Sequence, residues 1–160
     1  MTSKLKVNLI NDAGDNNLIT SDGSGSVTLG TAFPSVGKIG QVLQAEYGTA
    51  VTLNTSGFTD TGLSLAITPS ATSSKILVSV VQSIYLDGGG SGITLKVLRD
   101  STTVFTQPVN YARYMSAASN ERIFYPIEVL DSPSSSSQLT YKTQGICQFN
   151  TGKVQHDSIK

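Results

Sequence analysis

The chain has 160 residues, which is the size of one ordinary domain, and its 11 basic and 11 acidic residues cancel. A neutral chain with only 14% charged residues gives no electrostatic reason to expect a nucleic acid or an anionic membrane as partner. No apolar run is long enough to cross a membrane as a helix. The lone Cys147 excludes a disulfide within the chain.

The first 39 residues predict an extended arm. Short apolar alternations stand on either side of two clusters of turn-forming residues, at 11–17 and 21–25. The segment holds too few apolar residues to bury a core by itself. We therefore predict that residues 1–39 form an attachment arm that packs on a neighbouring copy or on a docking surface. The residues expected to make this packing are Leu5, Val7, Leu9, Val27 and Leu29.

Residues 40–160 predict a β-sandwich domain. Runs rich in β-branched and aromatic residues alternate with turn chemistry, which is typical of many short strands. Residues 75–86 are the most β-prone, and their near-continuous apolarity predicts a central strand buried on both faces. Residues 111–120 predict a long loop that carries a specific surface, with a helical turn or two as the alternative. The fold class is therefore all-β, with an antiparallel sandwich of the jelly-roll type. The predicted strands are 41–47, 50–54, 63–68, 75–86, 93–99, 103–107, 121–130, 138–142 and 146–149.

The sequence offers no set of residues suited to catalysis. His156 is the one histidine and lies near the C-terminus, where we expect solvent around it rather than a Ser-His-Asp triad. A single Cys and a single His cannot build a zinc site. The acids Glu121, Glu128, Asp87 and Asp131 are expected near strand ends and in loops, in solvent rather than in a glycosidase pair. We predict that the chain is not an enzyme and uses neither a cofactor nor a metal.

One segment leaves calcium binding open. Asp12, Asp15, Asn16 and Asn17 place four oxygen donors within a short stretch, and calcium is bound by such oxygens. The stretch lacks the glycine and the bidentate glutamate of an EF-hand loop. Turns that are closed by Asp and Asn side chains are the alternative explanation for the same four residues.

Two blocks of the sequence resemble a known family. Residues 4–10 (KLKVNLI) and 21–29 (SDGSGSVTL) resemble the start of tail-fibre-like virion structural proteins of bacteriophages, particularly phages of marine and freshwater bacteria such as cyanobacteria. Residues 58–70 (FTDTGLSLAITPS) and 73–78 (SSKILV) look like the signature that opens the β-sandwich of these proteins. Residues 86–160 resemble these proteins only in general character and carry no matching block.

The resemblance implies a non-enzymatic virion component that is assembled in the host cytoplasm and displayed on the particle surface. It implies a homotrimer whose arm attaches to other virion proteins of the tail or capsid. The chain has no repeat shaft and no coiled-coil heptads, which favours a short tail fibre or surface appendage. A capsid decoration protein is the alternative within this class. A carbohydrate-binding module is the alternative of another class.

A tail appendage would need a contact surface for the host, and a host cell-surface glycan is the partner considered. Tyr111, Arg113 and Tyr114 offer aromatic and guanidinium surfaces that could stack on sugar rings. Tyr85 and Tyr125 lie inside predicted strands and are instead expected to belong to the core.

Overall fold

The computed structural model describes residues 9–29, 39–87, 90–108, 112–116, 120–148, 151–154 and 157–159. Every helix or strand assigned over these residues is a β-strand, and the strands pair antiparallel. The all-β prediction is confirmed. No helix suited to spanning a membrane is found over these ranges. The contacts divide the chain into two compact units, Met1–Gly40 and Gln41–Lys160, and each is treated by itself below.

The first unit is a three-stranded sheet. Its strands β1 (Leu9–Asn11), β2 (Asn17–Ser21) and β3 (Val27–Leu29) lie in the order β1-β2-β3. None of the described side chains between residues 9 and 28 is buried, and Val27 is 61% exposed. The sheet therefore supplies no core for the predicted packing residues Leu9 and Val27. Leu5, Val7 and the side chain of Leu29 lie outside the described residues, and what covers the arm stays a prediction.

The two hairpin loops of this sheet are closed by the same device ten residues apart. Asp12 Oδ1 accepts hydrogen bonds from the backbone amides two and four residues ahead, at 2.8 and 3.0 Å. Asp22 Oδ1 does the same at 2.8 and 3.1 Å. Side-chain hydrogen bonds, from Asn16 to Asp12 and from Ser24 to Asp22, and after them the backbone amides hold the pKa of each carboxyl below its ordinary value. The polar clusters predicted as turns are thus Asx turns that set the register of the sheet.

The second unit contains the remaining strands over its described residues. They are β4 (Ala45–Tyr47), β5 (Val51–Leu53), β6 (Thr59–Ile67), β7 (Ile76–Asp87), β8 (Ser91–Arg99), β9 (Thr102–Thr106), β10 (Arg113–Met115), β11 (Asn120–Asp131), β12 (Leu139–Cys147), β13 (Thr151–Val154) and β14 (Asp157–Ile159).

These strands form two sheets with jelly-roll connections. In the six-stranded sheet β11 pairs with one side of β7, and β13 and β14 pair with successive parts of its other side. β5 and β4 continue outward from β13 and β14. In the five-stranded sheet the order is β10-β8-β12-β6, with β9 beside the far end of β8. β4 and β5 share one strand position, as do β9 and β10, and β13 and β14, so each sheet has four positions. Successive positions along the chain mostly alternate between the two sheets, which is the double-sheet jelly roll.

The inner faces of the two sheets share one hydrophobic core. The six-stranded sheet contributes Leu53, Val80 and Ile84, and the five-stranded sheet contributes Leu95 and Val97. All five side chains are at most 1% exposed. The antiparallel sandwich predicted from the alternating runs is confirmed.

Three details of the predicted strand pattern are wrong. Leu77 and Val81 of β7 are 60% and 40% exposed, because a two-layer sandwich leaves the outer face of each sheet open. Residues 113–115 form β10 beside β8 and not a loop. The C-terminal segment adds β13 and β14 to the six-stranded sheet, although no strand was predicted after residue 149. These short strands depend on pairing with β7 and β8 more than on their own patterns. His156 itself lies outside the described residues.

Truncation of Val80 tests the core assignment. Val80→Ala is expected to lower the free energy of unfolding by about 1–3 kcal/mol, because it removes buried methyl groups from the interface between the sheets. Val42→Ala is the control, since Val42 is 73% exposed and belongs to neither sheet. Urea denaturation of both variants should show a loss for Val80 several times larger. Equal losses would contradict the assignment of the inner face.

Candidate interaction surfaces

A polar row crosses the outer face of the five-stranded sheet. In the strand registers Gln144 of β12 lies opposite Asp60 of β6 on one side and Lys96 of β8 on the other. Lys96 in turn lies opposite Thr106 of β9. Directly opposed residues in antiparallel strands point to the same face. Four strands therefore present one continuous row of hydrogen-bonding side chains, which we call the polar row.

The carboxylate of Asp60, at one end of this row, accepts hydrogen bonds from two side chains of β12. Lys142 Nζ donates to Asp60 Oδ2 at 2.9 Å, and Gln144 Nε2 donates to Asp60 Oδ1 at 2.5 Å. The hydrogen bonds from Lys142 and Gln144, with smaller contributions from the positive charges of Lys142 and Lys96, hold the pKa of Asp60 below its ordinary value. Asp60 is thus ionised at neutral pH, and its charge is matched by that of Lys142.

Lys96 meets an aromatic ring in place of a carboxylate. Its Nζ lies 4.2 Å from the centre of the Phe58 ring, a cation–π distance. Among the described residues no carboxylate oxygen lies within 4 Å of this ammonium group. Phe58 itself is 37% exposed. The face therefore carries a cation without a matching anion, beside a ring that solvent can reach.

Tyr114 belongs to the same face, and Arg113 does not. Tyr114 lies opposite Gly92, which shares the outward side of β8 with Lys96 because strand side chains alternate. Its side chain is 49% exposed. Arg113 points to the other side of β10, where its Nε donates to Glu121 Oε2 at 2.8 Å and its Nη2 forms an ion pair with the same oxygen.

The other three tyrosines considered in the sequence differ in position. Tyr111 lies outside the described residues. Tyr125 packs against the hydrophobic core while remaining partly exposed. The expectation that Tyr85 belongs to the core is wrong, because it is partly exposed and lies on the outer side of β7, where the guanidinium of Arg122 stands 5.8 Å from its ring centre. The expected contact role of Tyr111, Arg113 and Tyr114 stays a prediction.

A second surface is the apolar outer side of β7 and β11. Leu77 lies opposite Leu130, and their side chains are each 60% exposed. Further along, Val81 lies opposite Pro126 and is 40% exposed, while Phe124 is 67% exposed. We call Leu77, Val81, Phe124 and Leu130 the β7–β11 strip. Ser79 and the exposed Glu128 lie opposite each other between these two pairs, so the strip consists of two apolar patches separated by a polar pair. Exposed apolar patches can mark interaction sites.

The free edge next to this strip is protected. Over the described residues β11 pairs only with β7, so it is an edge strand. Pro126 lies within this strand and lacks a backbone N–H, and proline in an edge strand is one of the features that oppose strand addition. The strip is therefore suited to contact through its face and not through strand addition.

One acidic residue expected in solvent instead joins the two sheets. Asp131 at the end of β11 accepts hydrogen bonds at 2.6 Å from Arg99 Nη1 and from the hydroxyl of Tyr141. Its side chain is only 12% exposed. Arg99 and Tyr141 belong to the opposite sheet, so this cluster is a latch between the sheets. The prediction that Asp131 is simply solvated is wrong, and Glu121 is likewise held in its ion pair.

The calcium alternative finds no support at Asp12. Its carboxylate accepts backbone amides on one oxygen, and Asn16 Nδ2 donates to both oxygens at 3.1 and 3.0 Å. Donor hydrogens at these oxygens occupy the places that a cation would take. Across the described ranges no group of three or more acidic, histidine or cysteine side chains is arranged to hold a metal ion. The turn accounts for these residues.

The fold and its surfaces define a jelly-roll protein with a three-stranded N-terminal unit and two candidate contact faces. No family model matches the chain, and no curated protein matches it. Among solved structures it is similar to the VP2 protein of infectious bursal disease virus, in a mutant from derived T=1 particles and in a subviral particle. Both give a TM-score of 0.41 and 11% identity over 73% of this chain, and cover 28% and 29% of those chains.

A third similar structure is that of the Gt strain of the same virus, with a TM-score of 0.36 and 8% identity. It covers 69% of this chain and 32% of that one. The chain thus spans less than a third of each of these proteins. Likeness at this level carries no functional argument, so function is argued from the residues of the chain itself.

Proposed function

We propose that the chain is a non-enzymatic structural component of a bacteriophage virion, a short tail fibre or surface appendage. Its arm attaches to other virion proteins, and its jelly roll is displayed toward the host surface. The observation that carries the proposal is the arm. It forms a paired sheet with two well-closed turns, and none of its described side chains from residue 9 to 28 is buried. The apolar side chains of this sheet find no cover among the described residues, which supports a role in attachment to another surface.

Deleting residues 1–39 tests the attachment role. The truncated chain is expected to remain folded, because the core lies in the second unit. It should fail to enter virions when it is supplied in place of the full chain. Circular dichroism checks the fold, and immunoblotting of purified particles measures incorporation. Particles that contain the truncated protein at normal copy number would overturn the attachment role.

We also propose that the appendage is a homotrimer whose copies meet through the β7–β11 strip. Light scattering should give about three times the chain mass of 16.8 kDa. Phe124→Ser should lower this mass while leaving the fold intact, since Phe124 is 67% exposed within one chain. Val42→Ser is the control, because Val42 is 73% exposed but lies outside the strip. A wild-type monomer would contradict the trimer, and equal behaviour of the two variants would contradict the contact.

A capsid decoration protein is the second candidate. The exposed β7–β11 strip favours it, because exposed apolar side chains also suit close packing on a capsid surface. Particles that lack the chain separate the two candidates. A tail appendage predicts reduced adsorption to host cells with heads of normal stability. A decoration protein predicts normal adsorption with heads that burst more readily on heating or osmotic shock.

A further inference from the structure

We infer that the outer face of the five-stranded sheet binds an acidic saccharide. In this assignment a carboxylate of the saccharide lies at Lys96, its ring faces pack on Phe58 and Tyr114, and its hydroxyls bond to Asp60 and Gln144. The inference rests on the proposed host-surface role and names the ligand class and the residues that would serve it.

The shape of the face favours an extended ligand of several rings. Phe58 precedes β6 at one margin of the sheet, and Tyr114 lies on β10 at the other. Three strand spacings separate the backbones at these margins, which is about 14 Å at about 4.8 Å per strand. Tyr114 lies opposite Gly92, four residues along β8 from Lys96, so it stands beside the polar row and not at its end. A chain of rings laid across the strands would meet an aromatic side chain at each end and pass beside the polar row.

The charges of the face favour an acidic ligand. The charges of Lys142 and Asp60 compensate each other across the 2.9 Å between Nζ and Oδ2, so the face keeps the net positive charge of Lys96. The Lys96 ammonium is held against the ring of Phe58, at 4.2 Å from its centre, and is not directed at a carboxylate. A bound carboxylate could approach this ammonium from the solvent side while the cation–π contact is kept. The face would thus recognise the negative charge and the apolar ring face together.

The chemistry of the polar row suits hydroxyl groups. Asp60 offers an ionised acceptor, and Gln144 offers both an acceptor and donors. An exposed ion pair such as Lys142–Asp60 contributes about 0–1 kcal/mol to stability. The arrangement of the row therefore adds little to the fold, and its side chains are available for a ligand. Aromatic rings beside such groups pack on the apolar faces of sugars while the polar groups bond to the hydroxyls.

The experiment is isothermal titration of the full chain with oligogalacturonate, a chain of sugar rings that each carry a carboxylate. Its fully methyl-esterified form is the matched ligand control, because the rings are the same and the charge is absent. Wild-type protein is expected to bind the acid form at least tenfold more tightly than the ester. Binding should weaken as salt is raised, because the charge on Lys96 is exposed to screening.

Three variants locate the contact on this face. Lys96→Gln and Phe58→Leu should each raise the dissociation constant for oligogalacturonate about tenfold, which is about 1.4 kcal/mol. Both keep most of the side-chain volume, and melting temperatures within a few degrees of wild type would show that they fold. Lys75→Gln is the protein control, since Lys75 is an exposed lysine before β7 in the other sheet and should bind as wild type does.

Three results would overturn the inference. The wild-type protein could fail to bind the acid form at millimolar concentration, or bind the acid and the ester equally. Alternatively, Lys75→Gln could weaken binding as much as Lys96→Gln, which would show general attraction to positive charge. None of these results bears on entry of the chain into virions. Failure of the saccharide site is therefore distinguishable from failure of the virion role.

Discussion

Gly62→Ala is expected to lower the free energy of unfolding by about 3 kcal/mol, from left-handed backbone strain and steric overlap together. The backbone of Gly62 has φ of +88°, a conformation that residues with a Cβ atom rarely adopt. A Cβ atom here would also lie 2.3 Å from Cε1 and 2.4 Å from Cζ of Tyr47. Because the ring of Tyr47 packs against the core, it cannot move away freely.

Gly57→Ala is the matched control for this substitution. A Cβ atom at Gly57 would meet nothing within 4 Å, and the residue is not among those with positive φ. Its change in stability should stay within about 0.5 kcal/mol. Urea denaturation of the two variants measures the difference. A Gly62 variant as stable as the Gly57 variant would show that β4 and β6 do not approach each other as closely as described.

The sequence predicts the sandwich well where strands carry their own pattern. The run that contains Val78 and Val80 forms β7 at the centre of its sheet, since alternating branched residues bury one face wherever two sheets pack. The strands β10, β13 and β14 could not be predicted in this way. Each has only three or four residues and is held by the longer strand beside it.

The candidate contact face could be predicted only in part. Tyr114 is an exposed aromatic side chain, as its irregular local sequence suggested. Asp60, Lys96 and Gln144 are far apart in the chain and meet only through the strand registers. Their local sequences carry no motif, so knowledge of the strand order was needed to find them. The pairing of Arg113 with Glu121 likewise depends on where β10 and β11 lie.

The last prediction concerns the latch of Arg99, Asp131 and Tyr141. Asp131→Ala is expected to lower the free energy of unfolding by about 2–3 kcal/mol, between the values for exposed and fully buried ion pairs. The substitution leaves Arg99, whose side chain is 20% exposed, without its anion and removes the acceptor of the Tyr141 hydroxyl. Lys142→Ala is a control, since its ion pair with Asp60 is on the open face and should cost less than about 1 kcal/mol. Equal losses of unfolding free energy in the two variants would show that the latch does not stabilise the fold.

Ionisation of the Tyr141 hydroxyl gives a second test of the latch, through the dependence of stability on alkaline pH. Burial raises its pKa above the ordinary value, and the hydrogen bond to the Asp131 carboxylate acts in the same direction. A raised pKa means that the folded state holds its proton more tightly than the unfolded state. The resulting stability is fully present below the ordinary tyrosine pKa of about 10 and is lost as pH rises through the folded-state value. Tyr141→Phe should therefore reduce stability at pH 7 and make its decline above pH 10 shallower, whereas an unchanged alkaline slope would mean that this hydroxyl is not buried against Asp131 as described.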